Sequence, residues 1–151
     1  MIIAIDFDGT CVTHEFPEVG KEIGAAPVLK KLVENDHKLI LYTMRSDIVD
    51  PVSTDDTIHP VGGNYLTEAI EWFKKNDIPL WAVNENPEQK NWTNSPKIYA
   101  HLYIDDAALG TPLTVNPEIS KRPFVKWNAI QNWFAKKGLI NNCEYLKRHE
   151  Q

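Results

Sequence analysis

The chain has 151 residues, a formal net charge of −5, 42% hydrophobic residues and 25% charged residues. That length fits one compact domain and is short for two, and the balance excludes an intrinsically disordered or fibrous chain. The acidic surplus lacks the basic footprint of a nonspecific nucleic-acid binder, but it is compatible with a small anionic substrate if a divalent cation reverses the local sign.

Four short apolar runs read as strands: 2–5 (IIAI), 38–43 (KLILYT), 79–83 (PLWAV) and 101–104 (HLYI). They are continuous rather than alternating, as in strands covered on both faces. Between the first two, Ala25, Val28, Leu29, Leu32 and Val33 follow the spacing of an amphipathic helix, with Pro27 in its first turn. Leu66, Ala69, Ile70 and Phe73 repeat the pattern, with Asn64 the expected N-cap. Trp127, Ile130 and Phe134 mark a third helix ended by Gly138. This alternation predicts an α/β fold: one doubly wound, Rossmann-like parallel sheet with helices on both faces, formed by residues 1–151 as a single domain. Two long irregular stretches, 45–63 and 84–96, follow strands and leave the carboxyl edge of the sheet, where open α/β sheets bind ligands.

No stretch approaches the roughly 20 apolar residues of a membrane span, and the N-terminal apolar run is too short for a signal peptide. The expected location is the cytoplasm, with no membrane partner. Cys11 and Cys143 have no metal-ligand spacing and read as free thiols in a reducing compartment. His14, His59 and His101 show no metal spacing either.

The first strand runs into Asp6-Phe7-Asp8-Gly9-Thr10. In extended chain, residues i and i+2 face one side, so Phe7 turns into the core while Asp6 and Asp8 share a pocket. Two ionised carboxylates that close require a cation between them or a proton on one. Mg²⁺ favours such oxygen ligands, and a protonated Asp can act as a general acid. Gly9 permits a sharp turn, and Thr10 adds a hydroxyl and an N–H. A second acidic pair, Asp105-Asp106, ends the fourth apolar run, Thr43 ends the second, and Lys97 precedes the fourth. Arg45, two residues beyond Thr43, is a ligand for a second anionic group of a substrate, a solvent-facing loop residue or a member of a structural ion pair.

This order resembles the haloacid dehalogenase (HAD) superfamily of phosphohydrolases. The segment DFDGT matches its first motif, Thr43 the second, Lys97 the third, with Lys90 a competitor, and YIDD the fourth, over residues 1–109. The resemblance implies a Mg²⁺-dependent phosphatase working through an aspartyl-phosphate. Asp6 is then the nucleophile and Asp8 the acid and base. The cation is held by the Asp6 carboxylate, the Asp8 main-chain carbonyl and Asp105, with Asp106, Gly9 and Thr10 supporting. Thr43 and Lys97 hold phosphate oxygens. In such enzymes a cap often selects the substrate. Only 34 residues separate Asp8 from Thr43, and 53 separate Thr43 from Lys97, so a capless or minimally capped member is expected. An open site suits a phosphorylated protein, a nucleic-acid end or a carried sugar. It also suits a small substrate if the 45–63 loop, or a neighbouring subunit of a homo-oligomer, closes over it.

Two other readings use the same fold. One is a phosphoacceptor, regulatory domain like a response-regulator receiver, which places its phosphorylated Asp after the third strand, where this chain offers only Glu85. The other is a catalytically silent binding module.

Overall fold

The computed structural model describes residues 1–48 and 62–141. In chain order its elements are β1 (Ile2–Ile5), α1 (Ala25–Glu34), β2 (Lys38–Leu41), β3 (Asp47–Ile48), β4 (Gly63–Asn64), α2 (Tyr65–Lys75) and β5 (Ala82–Val83). There follow a 3₁₀ turn (Gln89–Asn91), β6 (Leu102–Ile104), β7 (Leu113–Thr114), β8 (Phe124–Val125) and α3 (Trp127–Lys136). The four strands expected from the apolar runs are β1, β2, β5 and β6. They form one parallel sheet in the order β5-β2-β1-β6.

The order of strand addition reverses at β1. From there the chain steps outward through β2 to β5, then crosses to the far side for β6. In open parallel sheets the crevice at such a reversal, outside the carboxyl ends of the strands, is the place for a ligand. Ile5 of β1 stands beside Ile104 of β6, so Asp6 and Asp105 leave the sheet next to each other at that crevice.

Burial explains the choice of residues. Ile3, Ile5, Leu39, Leu41 and Ile104 lie on one sheet face and join a single buried cluster with Val28, Leu29 and Leu32 of α1, Trp72 and Phe73 of α2, and Trp127 and Phe134 of α3. All three helices therefore contribute to the same side, a difference from the helices on both faces that the alternation predicts. The segment between β5 and β6 makes only the 3₁₀ turn. It is organised by the buried side chain of Gln89, which donates to the carbonyls of Ser95 (2.8 Å) and Lys97 (2.7 Å) and accepts from the Tyr99 amide (2.8 Å). A polar residue at the centre of a loop replaces the apolar stripe a helix needs.

Two small hairpins were not signalled by any apolar run. β3 pairs with β4, and β7 with β8. Asn64 precedes α2 but makes no capping bond. Asp47 of β3 caps the helix instead, accepting from the amides of Leu66 and Thr67 (both 2.9 Å) and from the Thr67 hydroxyl (2.6 Å). Those bonds hold the Asp47 carboxyl below its ordinary pKa. α3 ends as expected at Gly138, whose φ of +68° suits glycine, and the Leu139 amide returns to the Phe134 carbonyl (3.0 Å). Residues 49–61 of the expected lid loop, with His59, and Cys143 near the C-terminus lie outside the described residues. Among the described residues no helix is long and apolar enough to cross a membrane.

Candidate functional site

At the end of β1, Phe7 is fully buried, with its ring against Trp72 (5.8 Å between centroids) and Phe73 (6.2 Å). The Phe7 carbonyl accepts from the amides of Thr10, Cys11 and Val12 (3.2, 2.8 and 3.3 Å). The chain thus folds into a tight loop as soon as it leaves the sheet. Gly9 in that loop has φ +81°, and a Cβ there would lie 2.5 Å from Oδ2 of Asp106. Only glycine allows the loop and the second acidic pair to approach so closely.

One carboxylate oxygen each from Asp6, Asp105 and Asp106 can be chosen so that all lie within 4.8 Å of one another. Thr10, fully buried, links them. Its hydroxyl lies 3.2 Å from Oδ2 of Asp6 and 3.5 Å from Oδ1 of Asp106, and it accepts from the Asp106 amide (3.0 Å). Burial raises the Asp6 carboxyl from its ordinary 3.8 to about 7; Asp105 and Asp106 add to the rise, and hydrogen bonds from the Phe7 amide and Thr10 oppose it. Burial and Asp105 also raise Asp106, while nearby His14 lowers it. Three hard oxygen donors gathered at a cost in repulsion fit a divalent cation. The Asp8 carbonyl, which accepts no hydrogen bond among the described residues, fits a fourth ligand. Asp106 enters this cluster directly rather than from behind it.

The Asp8 side chain is elsewhere, so the two acids of the first motif do not share one pocket. Arg45 takes both oxygens of Asp8, Nε to Oδ2 and Nη2 to Oδ1, each at 2.7 Å. Its remaining donors go to main-chain carbonyls: Nη2 to Glu18 (2.8 Å), and Nη1 to Pro17 (3.2 Å) and Tyr65 (3.3 Å). The guanidinium carbon lies 5.1 Å from the ring centroids of both Phe7 and Phe16, and Arg45 is 3% exposed. Such a group has no free donor for a substrate anion. Of the roles open to Arg45, the structure places it in the ion pair, and its burial overturns the solvent-facing one. The pattern that points inward is its spacing: Leu41, Thr43 and Arg45 are buried, and Tyr42, Met44 and Ser46 are exposed.

Thr43 stands at the same edge. Its amide donates to Oδ1 of Asn84 (2.9 Å) and its hydroxyl accepts from the Arg45 amide (3.1 Å), leaving the hydroxyl proton to donate. Asn84, at φ +51° just beyond β5, was not singled out in the sequence. The signal was an Asn directly after an apolar run, because Asn adopts the left-handed region more readily than most residues. Trp127 marks the third helix in the sequence. Its indole N–H also donates to the Thr10 carbonyl (2.7 Å), and the Val125 amide donates to the Gly9 carbonyl (3.0 Å), so the β8–α3 junction braces the acidic loop.

Lys97 and its competitor Lys90 are both exposed. Among the described residues neither ammonium forms a hydrogen bond or ion pair with the acidic cluster. The main chain at Lys97 is held through its carbonyl by Gln89, while the side chain is left to solvent. Cys11 is buried and its thiol lies 3.3 Å from the Asp6 carbonyl. Burial, then the charge of Asp6, pushes that thiol well above its ordinary pKa, so it is a packing residue and no nucleophile.

A solved structure described as that of a conserved protein coded by a locus from Bacteroides thetaiotaomicron is similar to this chain. It shares 31% sequence identity over 91% of each chain, with a TM-score of 0.65. No family model and no curated protein matches.

Proposed function

The chain belongs to the family of that conserved Bacteroides thetaiotaomicron protein, and from the acidic crevice we propose that it is a Mg²⁺-dependent phosphohydrolase of the HAD-like kind. The observation that carries this reading is the gathering of Asp6, Asp105 and Asp106 around Thr10 at the reversal point of the sheet. In this reading Asp6, Asp105, Asp106 and the Asp8 carbonyl hold the cation. When bound, Mg²⁺ supplies the positive charge that lets an anionic nucleophile meet an anionic phosphate.

The chain's own groups divide the remaining work. A carboxylate oxygen of Asp6 attacks phosphorus as the bond to the leaving oxygen breaks, and Asp8 gives that oxygen a proton. Asp8 then takes a proton from water as the water oxygen attacks phosphorus and frees Asp6. Thr43 donates its unused hydroxyl proton to a phosphate oxygen. Lys97 serves the same end once its exposed side chain swings toward bound phosphate. The segment between Asp8 and α1 is a short return loop rather than a cap: Val12 bridges to Glu22, and the Thr13 amide reaches the Lys21 carbonyl (3.0 Å). That this segment builds no cap supports the capless reading, an enzyme acting on phosphate monoesters.

Hydrolysis of 4-nitrophenyl phosphate with Mg²⁺ and with EDTA tests the reading. Release of nitrophenol only with the cation is the expected result, and equal rates in both would end the proposal. A screen of phosphorylated metabolites, nucleotides and polynucleotide ends then identifies the substrate.

A further inference from the structure

We infer that Arg45 is the positioning residue for proton transfer by Asp8. This rests on the phosphohydrolase reading. All five guanidinium N–H groups are committed, two to Asp8 and three to the carbonyls of Pro17, Glu18 and Tyr65. Phe7 and Phe16 lie against the guanidinium. The three carbonyls come from the loop before α1 and from the start of α2, so the fold on two sides fixes the guanidinium, and the guanidinium fixes the plane of the carboxylate. A side-on pair with Nε and Nη2 uses one edge of each Asp8 oxygen and leaves the outer edge of each without a partner among the described residues. Those outer edges are where a proton is carried.

The same contact keeps the Asp8 carboxylate out of the cluster formed by Asp6, Asp105 and Asp106. A carboxylate drawn into that cluster would lose its place for protonating the leaving group. Arg45 touches neither phosphorus nor the leaving oxygen. It acts through Asp8, and a lysine cannot reproduce the two-point contact.

The test compares 4-nitrophenyl phosphate, which departs without a proton, with ethyl phosphate, which needs one. In Arg45→Lys, kcat for ethyl phosphate should fall at least about tenfold further than for 4-nitrophenyl phosphate, with KM nearly unchanged. Rapid quench with the nitrophenyl ester should show phosphorylated enzyme accumulating, because Asp8 also activates the water. In an Asp8→Asn background, Arg45→Lys should change the ratio of the two rates no further. Equal losses on both esters, or additive losses in the double variant, would overturn the inference.

If Arg45→Lys does not fold, Phe16→Ala decides. Phe16 is 39% exposed and touches the guanidinium from outside the core, so its loss should shift the ratio in the same direction by about two- to threefold. An unshifted ratio in folded Phe16→Ala also overturns the inference. Asp6→Asn in the same assays separates the two failures. Activity that survives it removes the phosphohydrolase reading itself, whereas activity lost there beside an unshifted ratio in the Arg45 and Phe16 variants removes only the role of Arg45.

Discussion

The carboxylate of Asp6 sits among Asp105, Asp106 and Thr10 with no cationic side chain bonded to it among the described residues. That of Asp8, two positions on, has both oxygens bound by a buried guanidinium. The first region concentrates negative charge with no bonded cationic side chain; the second pairs its charge with Arg45 and keeps the outer edges of the carboxylate for proton transfer. Sequence spacing alone makes these two residues equivalent. Their partners come from opposite directions, β6 for Asp6 and the extension of β2 for Asp8, and it is the partners that separate a cation-binding role from a proton-transfer role. The turn at Gly9 sends the chain out of extended geometry at the point where both partners arrive.

The largest expected effect comes from removing the charge at Asp6. Asp6→Asn keeps the shape of the side chain but deletes both the nucleophile and a cation ligand, and hydrolysis of 4-nitrophenyl phosphate should drop to background. Retained turnover would show that the acidic region is not the reacting one and would break the contrast between the two aspartates.

The second effect is on stability. Because the Asp6 carboxyl is raised from 3.8 to about 7 in the folded protein, the folded state binds a proton between those values that the unfolded state does not. Its contribution to stability is full below pH 3.8 and is lost as pH rises through about 7. The difference corresponds to about 4 kcal/mol at 1.36 kcal/mol per pH unit, shared with the neighbouring acids. Denaturant unfolding with EDTA should therefore show lower stability at pH 8 than at pH 5, and saturating Mg²⁺ should remove most of that difference. An identical pH dependence with and without Mg²⁺ would mean that the cluster does not bind the cation.

Much of this architecture was legible because its signals are local. The apolar runs located all four sheet strands, helical spacing located α1, α2 and α3, and acids directly behind strands marked Asp6 and Asp105 at the carboxyl edge. What escaped depends on pairs remote in sequence. Arg45 meets Asp8 across 37 positions, and Trp127 meets Thr10 across 117. The segment between β5 and β6 is organised by the amide of Gln89, whose polarity gives no periodic signal. Asp47 took the capping role expected of Asn64 because the β3–β4 pairing places it over the start of α2. The assignment of Lys97 rests on motif order, and its exposed side chain adds nothing to that.

Gly9→Ala sharpens the comparison from the loop that joins the two regions. The new methyl would meet Asp106 at 2.5 Å in a backbone conformation that alanine resists. A loss of about 1–3 kcal/mol is expected for the strained backbone. Calorimetry should also show weaker Mg²⁺ binding, because Asp106 must move away. Beyond the chain neighbours of Gly9, the three atoms nearest that methyl all belong to Asp106, so Mg²⁺ affinity should suffer more than the ratio of ethyl to nitrophenyl ester rates.

The smallest expected effect is at Trp127, which braces the same loop from the side remote from both aspartates. Trp127→Phe keeps a buried ring but deletes the indole N–H, leaving the Thr10 carbonyl without that 2.7 Å bond. An unsatisfied buried acceptor costs about 1–3 kcal/mol, which denaturant unfolding would register. The carbonyl of Thr10 faces Trp127 while its hydroxyl faces the acids, so the change is transmitted to the cluster only through the main chain. Mg²⁺ affinity should fall by no more than about threefold, less than 1 kcal/mol. A larger fall would mean that the acidic cluster depends on α3 for its shape as well as for its stability. The division of labour between the two aspartates would then extend to the C-terminal third of the chain, with α3 supporting the Asp6 side and α2, through the Tyr65 carbonyl, supporting the Asp8 side.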